Sequence, residues 1–311
     1  MSGWWNALAD PNTQWIMLGS MLLGLCSGVI GSFAYLRKQS LMGDVLSHAA
    51  LPGVCIAFML TGTKSLWQFL IGAAIAGILA TFGIGWITRH SRIKQDAALA
   101  IVLTVFFGAG IALLTQIQHN GNGNQSGLDK FLFGQAAAMV PTDVRAVAVV
   151  TIVLVGLCAL LFKEFKLVSF DPGFARGLGY PVVFLEQLLM FLAVVTVVAG
   201  IQAVGVVLMA SLLITPAVSA RYWSDKLNVM VALAGTFGAV SGLIGTMISA
   251  GGNHLPTGPL SVLSATALFL VSVLFAPRRG MLSVALARLA ARNRIKRETA
   301  ATWVERKEEA V

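Results

Sequence analysis

An acid and an imidazole four residues apart, Asp44 and His48, lie within GDVLSHAALPG, a segment otherwise written for hydrocarbon. On a helix that spacing sends both side chains from one face, their β-carbons about 5–6 Å apart. Pro52, four residues further on, has no N–H to give the carbonyl of His48, so that oxygen is left for an ion, a water or a neighbouring helix. One face thus offers a carboxylate, an imidazole and a carbonyl, a donor set suited to a divalent metal or to a travelling proton. A carboxylate near the middle of a membrane helix costs roughly 2.5–3.5 kcal/mol on insertion scales and is usually kept for function. The same pair also fits plain hydrogen bonding between helices, and spacing alone leaves both readings open.

Other groups are weaker. In SLLITPAVSAR, Pro216 frees the carbonyl of Leu212, and Ser211, Thr215 and Ser219 recur once per turn as a polar stripe able to line a pathway. Hydroxyls at that spacing commonly bond back to their own backbone instead. His119 and His254, at loop positions, are candidates to touch an arriving cation, though a solvated histidine is the plainer account of each. Cys26, Cys55 and Cys158 fall in apolar runs without a CxxC pair, so neither a disulfide framework nor a cysteine metal cluster is expected.

The elements that must position these residues are membrane helices. Of 311 residues, 57% are hydrophobic and 11% charged. Apolar runs of about the 20 residues that cross a bilayer recur at 15–36, 41–60, 66–88, 97–117, 144–162, 182–200, 201–223, 227–250 and 259–276. The fold class is therefore all-α, a polytopic helical membrane protein of nine spans, or eight if the stretch 199–205, which has no polar loop, is a break within one helix. Trp4, Trp5 and Asp10 stand where a cleavable signal has its basic region, so the N-terminus is read as retained. Nineteen of the 22 Lys and Arg residues fall on one side of the spans, which places the N-terminus outside and the C-terminus in the cytoplasm.

Residues 1–277 form the membrane domain and 278–311 a basic cytoplasmic tail with nine basic and four acidic residues. The formal charge of +9 thus needs no nucleic acid. The tail pattern MLSVALARLAARNRIKR suits a helix lying on anionic lipid headgroups, or a solvated extension. Gly24, Gly28 and Gly31, with Gly238 and Gly242, make smooth faces for close helix packing. The loop from His119 to Asp143 opens with NGNGNQSG and continues into 128–139, an interfacial or re-entrant helix. On the cytoplasmic side SFDPGFARGLGYP reads as a short helix over 172–178: Asp171 caps it, Pro172 suits its first turn, Gly179 its exit, and Pro181 stops it. Its shape is that of a docking knob, or of an ordinary capped turn.

Taken in order, GDVLSHAALPG, FDPGFARGLG, SLLITPAVSAR and LPTGP resemble the permease subunit of bacterial ABC importers for zinc, manganese and iron, over nearly the whole of residues 15–277. The resemblance implies a bacterial plasma-membrane permease that is a homodimer or a heterodimer of related chains, with two cytoplasmic ATPase subunits that use ATP and an external solute-binding protein that delivers the metal. It matches Asp44 and His48 to metal-contacting positions. It matches 172–179 to the helix that couples to the ATPase, with Asp171, Pro172, Phe174, Arg176 and Gly179 as coupling residues. Gly173 departs from it, standing where the family commonly has an acid.

Three readings follow. The first is a transport subunit that does no chemistry itself; the chain has no GxxxxGK[ST] phosphate loop, so ATP is hydrolysed on a separate chain. The second is a secondary cation antiporter with Asp44 as proton carrier, and the third a membrane-embedded metal-dependent enzyme, for which no fuller ligand set is visible. An oxygen and a nitrogen ligand suit manganese, zinc or ferrous iron alike.

Overall fold

The computed structural model describes residues 10–37, 41–62, 66–119, 139–252, 255–277 and 279–285. Expectations for Trp4, Trp5, the loop helix over 128–138, His254 and the tail beyond 285 lie outside the described residues.

Eleven helices make up these residues, and no strand occurs among them. They are α1 (Pro11–Leu36), α2 (Met42–Thr61), α3 (Leu66–His90), α4 (Gln95–His119), α5 (Pro141–Leu160), α6 (Phe162–Phe170), α7 (Pro172–Gly177), α8 (Val182–Val204), α9 (Val206–Trp223), α10 (Leu227–Gly251) and α11 (Thr257–Phe275). Eight of them, α1 to α5, α8, α10 and α11, are long and apolar enough to cross a membrane. The ninth long helix, α9, has 18 residues.

The two ends of α9 decide the topology. Met209 packs on Gly200, two residues nearly equidistant from Gly205, so α8 and α9 fold back on each other as a hairpin. Trp223 Nε1 donates to Ser272 Oγ at 3.0 Å, which brings the C-terminal ends of α9 and α11 together. Gly258 at the start of α11 packs against the backbone of Val204 at the opposite end. Helices α8 and α9 therefore run in opposite directions and α9 and α11 in the same one, and the break comes at Gly205 rather than after Gly200. Gly205 has φ 92° and ψ 161°, a region that only glycine enters without strain. The turn falls inside the 199–205 stretch and has no polar loop because Ile201 and Val204 are buried in protein, so no polar residues are needed to face water.

A second difference concerns α6. The fifth span ends at Leu160, and what reads as loop continues at once as a separate helix, 162–170, with Phe165 and Val168 buried. Its lysines hid an inward apolar face.

Helices α1, α8, α9, α10 and the first half of α2 form the interior. A Cβ on Gly24 would strike the carbonyl of Gly238, and one on Gly28 that of Ala234, so α1 and α10 touch backbone to backbone. Leu213 of α9 is wedged between Gly31 of α1 and Gly43 of α2. Around this interior α3, α4, α5 and α11 present Ile71, Phe82, Val105, Ile152, Leu263 and Phe275 outward, as helices facing lipid do.

Candidate functional site

Asp44 stands in the first turn of α2, not at mid-helix as its place in the apolar run suggests. Its depth is nevertheless interior. Gly43, its neighbour, lies against Ala210 and Leu213, midway along α9 and about 15 Å, ten residues, from the end of that helix at Trp223. The helix thus begins inside the bundle, and the partial positive charge of its N-terminus favours a carboxylate there. This lowers the penalty that a mid-helix position would carry.

His48 Nε2 lies 3.4 Å from Asp44 Oδ1, beyond the length of a strong N–H···O bond, so neither group is saturated by the other. The Asp44 side chain is 44% exposed and that of His48 18%, while residues 45–47 and 49–55 are all buried. The pair is the open spot on an otherwise packed stretch. Phe107 of α4 meets the imidazole edge to face, ring centroids 4.6 Å apart, and restricts its rotation. His48 Nδ1 is buried without a hydrogen-bond partner, so Nε2 is the nitrogen turned to the open side. Ser47 Oγ donates to the carbonyl of Asp44 at 2.9 Å. The helix runs unbroken through Pro52. Among the described residues, no three His, Cys, Asp or Glu side chains gather as a metal would need.

The hydroxyl stripe of α9 is divided. Ser211 and Thr215 are half-buried, whereas Ser219 is wholly buried and donates to the carbonyl of Thr215 at 2.7 Å. Successive positions four apart rotate by about 40° on a helix, enough to carry Ser219 off the surface that Ser211 reaches. His119 is exposed, its Nδ1 2.9 Å from the carbonyl of Thr115. Cys26, Cys55 and Cys158 are buried free thiols.

The short helix α7 forms as its local chemistry dictates. Asp171 accepts from the N–H of Phe174 at 2.9 Å. At the other end the N–H of Tyr180 reaches the carbonyl of Ala175, and that of Gly179 the carbonyl of Arg176, the paired bonds of a Schellman exit with Gly179 at φ 83°. Ala175 is buried and anchors the helix; Phe174, Arg176 and Leu178 project outward. An added Cβ at Gly173 would meet only Asp171 Oδ1, at 3.4 Å, so the position has room for a side chain.

Sequence reasoning missed two features near these sites. Phe107 gives no signal, since one aromatic in an apolar helix reads as lipid-facing. Arg37 at the end of α1 binds Glu186 of α8, Nη2 to Oε1 2.6 Å, and a lone acid at the start of an apolar run was the only hint.

A bundle of this kind, with a half-open carboxylate and imidazole inside it and a capped knob at its basic end, is the membrane-spanning subunit of a transporter. The profile of the ABC 3 transport family matches residues 9–276, and the chain belongs to that family. It is 55% identical over 294 residues to the manganese transport system membrane protein MntC of Bacillus subtilis (strain 168), covering 94% of this chain and 68% of that one. It is 47% identical over 275 residues to the zinc transport system membrane protein TroC of Treponema pallidum (strain Nichols), covering 88% and 92%. The solved structure of PsaBC from Streptococcus pneumoniae in complex with Fab superposes with TM-score 0.79 at 33% identity, over 91% of this chain and 99% of that one. The family is one of transport permeases, and it gives no support to the antiporter or the enzyme.

Proposed function

We propose that the chain is the permease of an importer that moves manganese or zinc into the cytoplasm, with Asp44 and His48 as the residues the ion meets. The observation that carries this is the pair itself: two unsaturated ligands of the right chemistry, at bundle depth, on the open face of a packed helix. Both ions appear in the names of the relatives above. Iron, part of the expectation from resemblance, has no such support among them.

One chain supplies too few ligands, since zinc usually takes four and manganese more, often with water. Two permease subunits, like or related, facing each other across a two-fold axis would bring two carboxylates and two imidazoles to one ion, in an open coordination weak enough to release it. Ser211 and Thr215, both half-buried, line the approach in this reading. On the side that the Lys and Arg count assigns to the cytoplasm, α7 offers Phe174 and Arg176 to one of two ATPase subunits. An external binding protein delivers the ion at the opposite face.

The test is uptake of radioactive manganese or zinc in cells lacking other importers. Asp44→Ala and His48→Ala are each expected to abolish it while the protein stays expressed and assembled with its ATPase. Normal uptake by Asp44→Ala removes the pair from the mechanism.

A further inference from the structure

The ion pair of Arg37 with Glu186 is half-buried, with side-chain exposures of 12% and 25%, whereas the arginines around Asp225 reach 24% and 51%. Burying two charges brings little net stability; such pairs are best understood as fixing one arrangement against another. Their places in the chain say which arrangement.

Arg37 caps α1 and precedes Asp44 by seven residues. Glu186 follows Gly177, the last residue of α7, by nine, and the stretch between holds the Schellman exit and Pro181, which leave little slack. The pair therefore ties the start of α8, close after α7, to the end of α1, and Leu213 in turn bridges Gly31 of α1 and Gly43 beside Asp44.

Two more buried atoms complete the picture. Arg37 Nη1 has no hydrogen-bond partner, and neither has Glu164 Oε2 of α6. One turn before Arg37, on the same face of α1, Phe33 packs edge-on against Phe162 and Phe165, centroids 5.9 and 5.7 Å away, which sets α6 beside the end of α1. Glu164 lies between those two phenylalanines in sequence. A guanidinium with five donors can serve two carboxylates, and here one stands on each of the helices that flank α7.

We propose that Arg37 is a positioning residue of the transport cycle, held by Glu186 in this arrangement and drawn toward Glu164 when α7 shifts between α6 and α8, so that movement of α7 is carried to the turn bearing Asp44. This rests on the reading of α7 as the ATPase-docking helix.

The permease is reconstituted in vesicles with its ATPase subunits and binding protein, and uptake of radioactive manganese is measured against ATP hydrolysed. Glu186→Gln and Glu164→Gln are each expected to lower uptake per ATP about tenfold, within the range that a coupling between sites usually spans, with the KM for manganese unchanged. Arg37→Glu combined with Glu186→Arg restores the pair with position 186 but sets a carboxylate against Glu164, so coupling is expected to stay low; full recovery would mean a static tie and overturns the proposal. If Glu186→Gln fails to assemble, Arg37→Lys, which keeps the charge and loses the fork, is expected to uncouple in the same way. Wild-type coupling in Glu186→Gln or in Arg37→Lys overturns the proposal, as does a loss of uptake that only tracks the amount of assembled complex. Substitution of Phe174 and Arg176 by alanine separates the two readings: coupling lost there but kept in Glu186→Gln defeats the role of Arg37 alone, and coupling kept in both defeats the docking reading of α7.

Discussion

At the scale of single residues, chemistry carried by local spacing was readable and chemistry carried across the bundle was not. Asp44 and His48 are four apart and share a face whatever surrounds them, and the caps of α7 need only their own neighbours. Phe107 reaches His48 from 59 positions away in sequence, and Arg37 meets Glu186 across 149. Nothing in an apolar run tells which aromatic or which acid will find such a partner. Ser219 illustrates the opposite error, since its regular spacing conceals the slow rotation that buries it. The cysteines allow a direct check of packing. Cys55 lies 3.8 Å from the carbonyl of Gly110, sealed in the seam between α2 and α4. None of the three thiols is expected to react with a membrane-permeant maleimide in the native protein, and all three should react in denaturing detergent. Labelling of Cys55 in native membranes would show that this seam opens.

At the scale of elements, nine long helices were legible because hydrocarbon imposes length and composition on each. The joints were less legible. The lysines after Leu161 read as a loop where a further helix begins, and the reversal within 199–205, without a polar loop to mark it, falls at Gly205. Contact between helices, by contrast, was written in glycine. Because Gly28 meets the carbonyl of Ala234 with no room for a methyl group, Gly28→Leu must part α1 from α10 or displace both. A several-kcal/mol loss is expected, as for other overpacked interiors that cannot shift. Size-exclusion profiles in mild detergent should then show aggregated permease in place of the assembled complex; a wild-type profile would mean that the two helices are not held backbone to backbone.

At the scale of the whole molecule, the proposed site makes the chain one half of a device. The interior helices leave Asp44 and His48 half-open rather than sealed, and a lone chain cannot complete a coordination sphere with the residues described. Two subunits rocking about a shared ion would load it from one side and release it to the other without a permanent cage. Cysteine at position 48, in a background with Cys26, Cys55 and Cys158 replaced, should crosslink efficiently between subunits in at least one nucleotide state. Failure to crosslink in every state would assign each subunit its own path, with ligands from its own α9.

The joint at Gly205 also bears on how the protein is made. From Pro181 to Ala220 the chain carries a single charged residue, Glu186, so nothing at the turn tells the insertion machinery where one helix stops and the next begins. The orienting charges lie at the far ends, at Lys163 to Arg176 and at Arg221 with Lys226. With no orienting charge between them, the two helices are expected to insert as one hairpin, the form in which Met209 meets Gly200. That hairpin carries Leu213, which sits against Gly31 of α1 and Gly43 of α2, so the surroundings of Asp44 are complete only once the hairpin has docked.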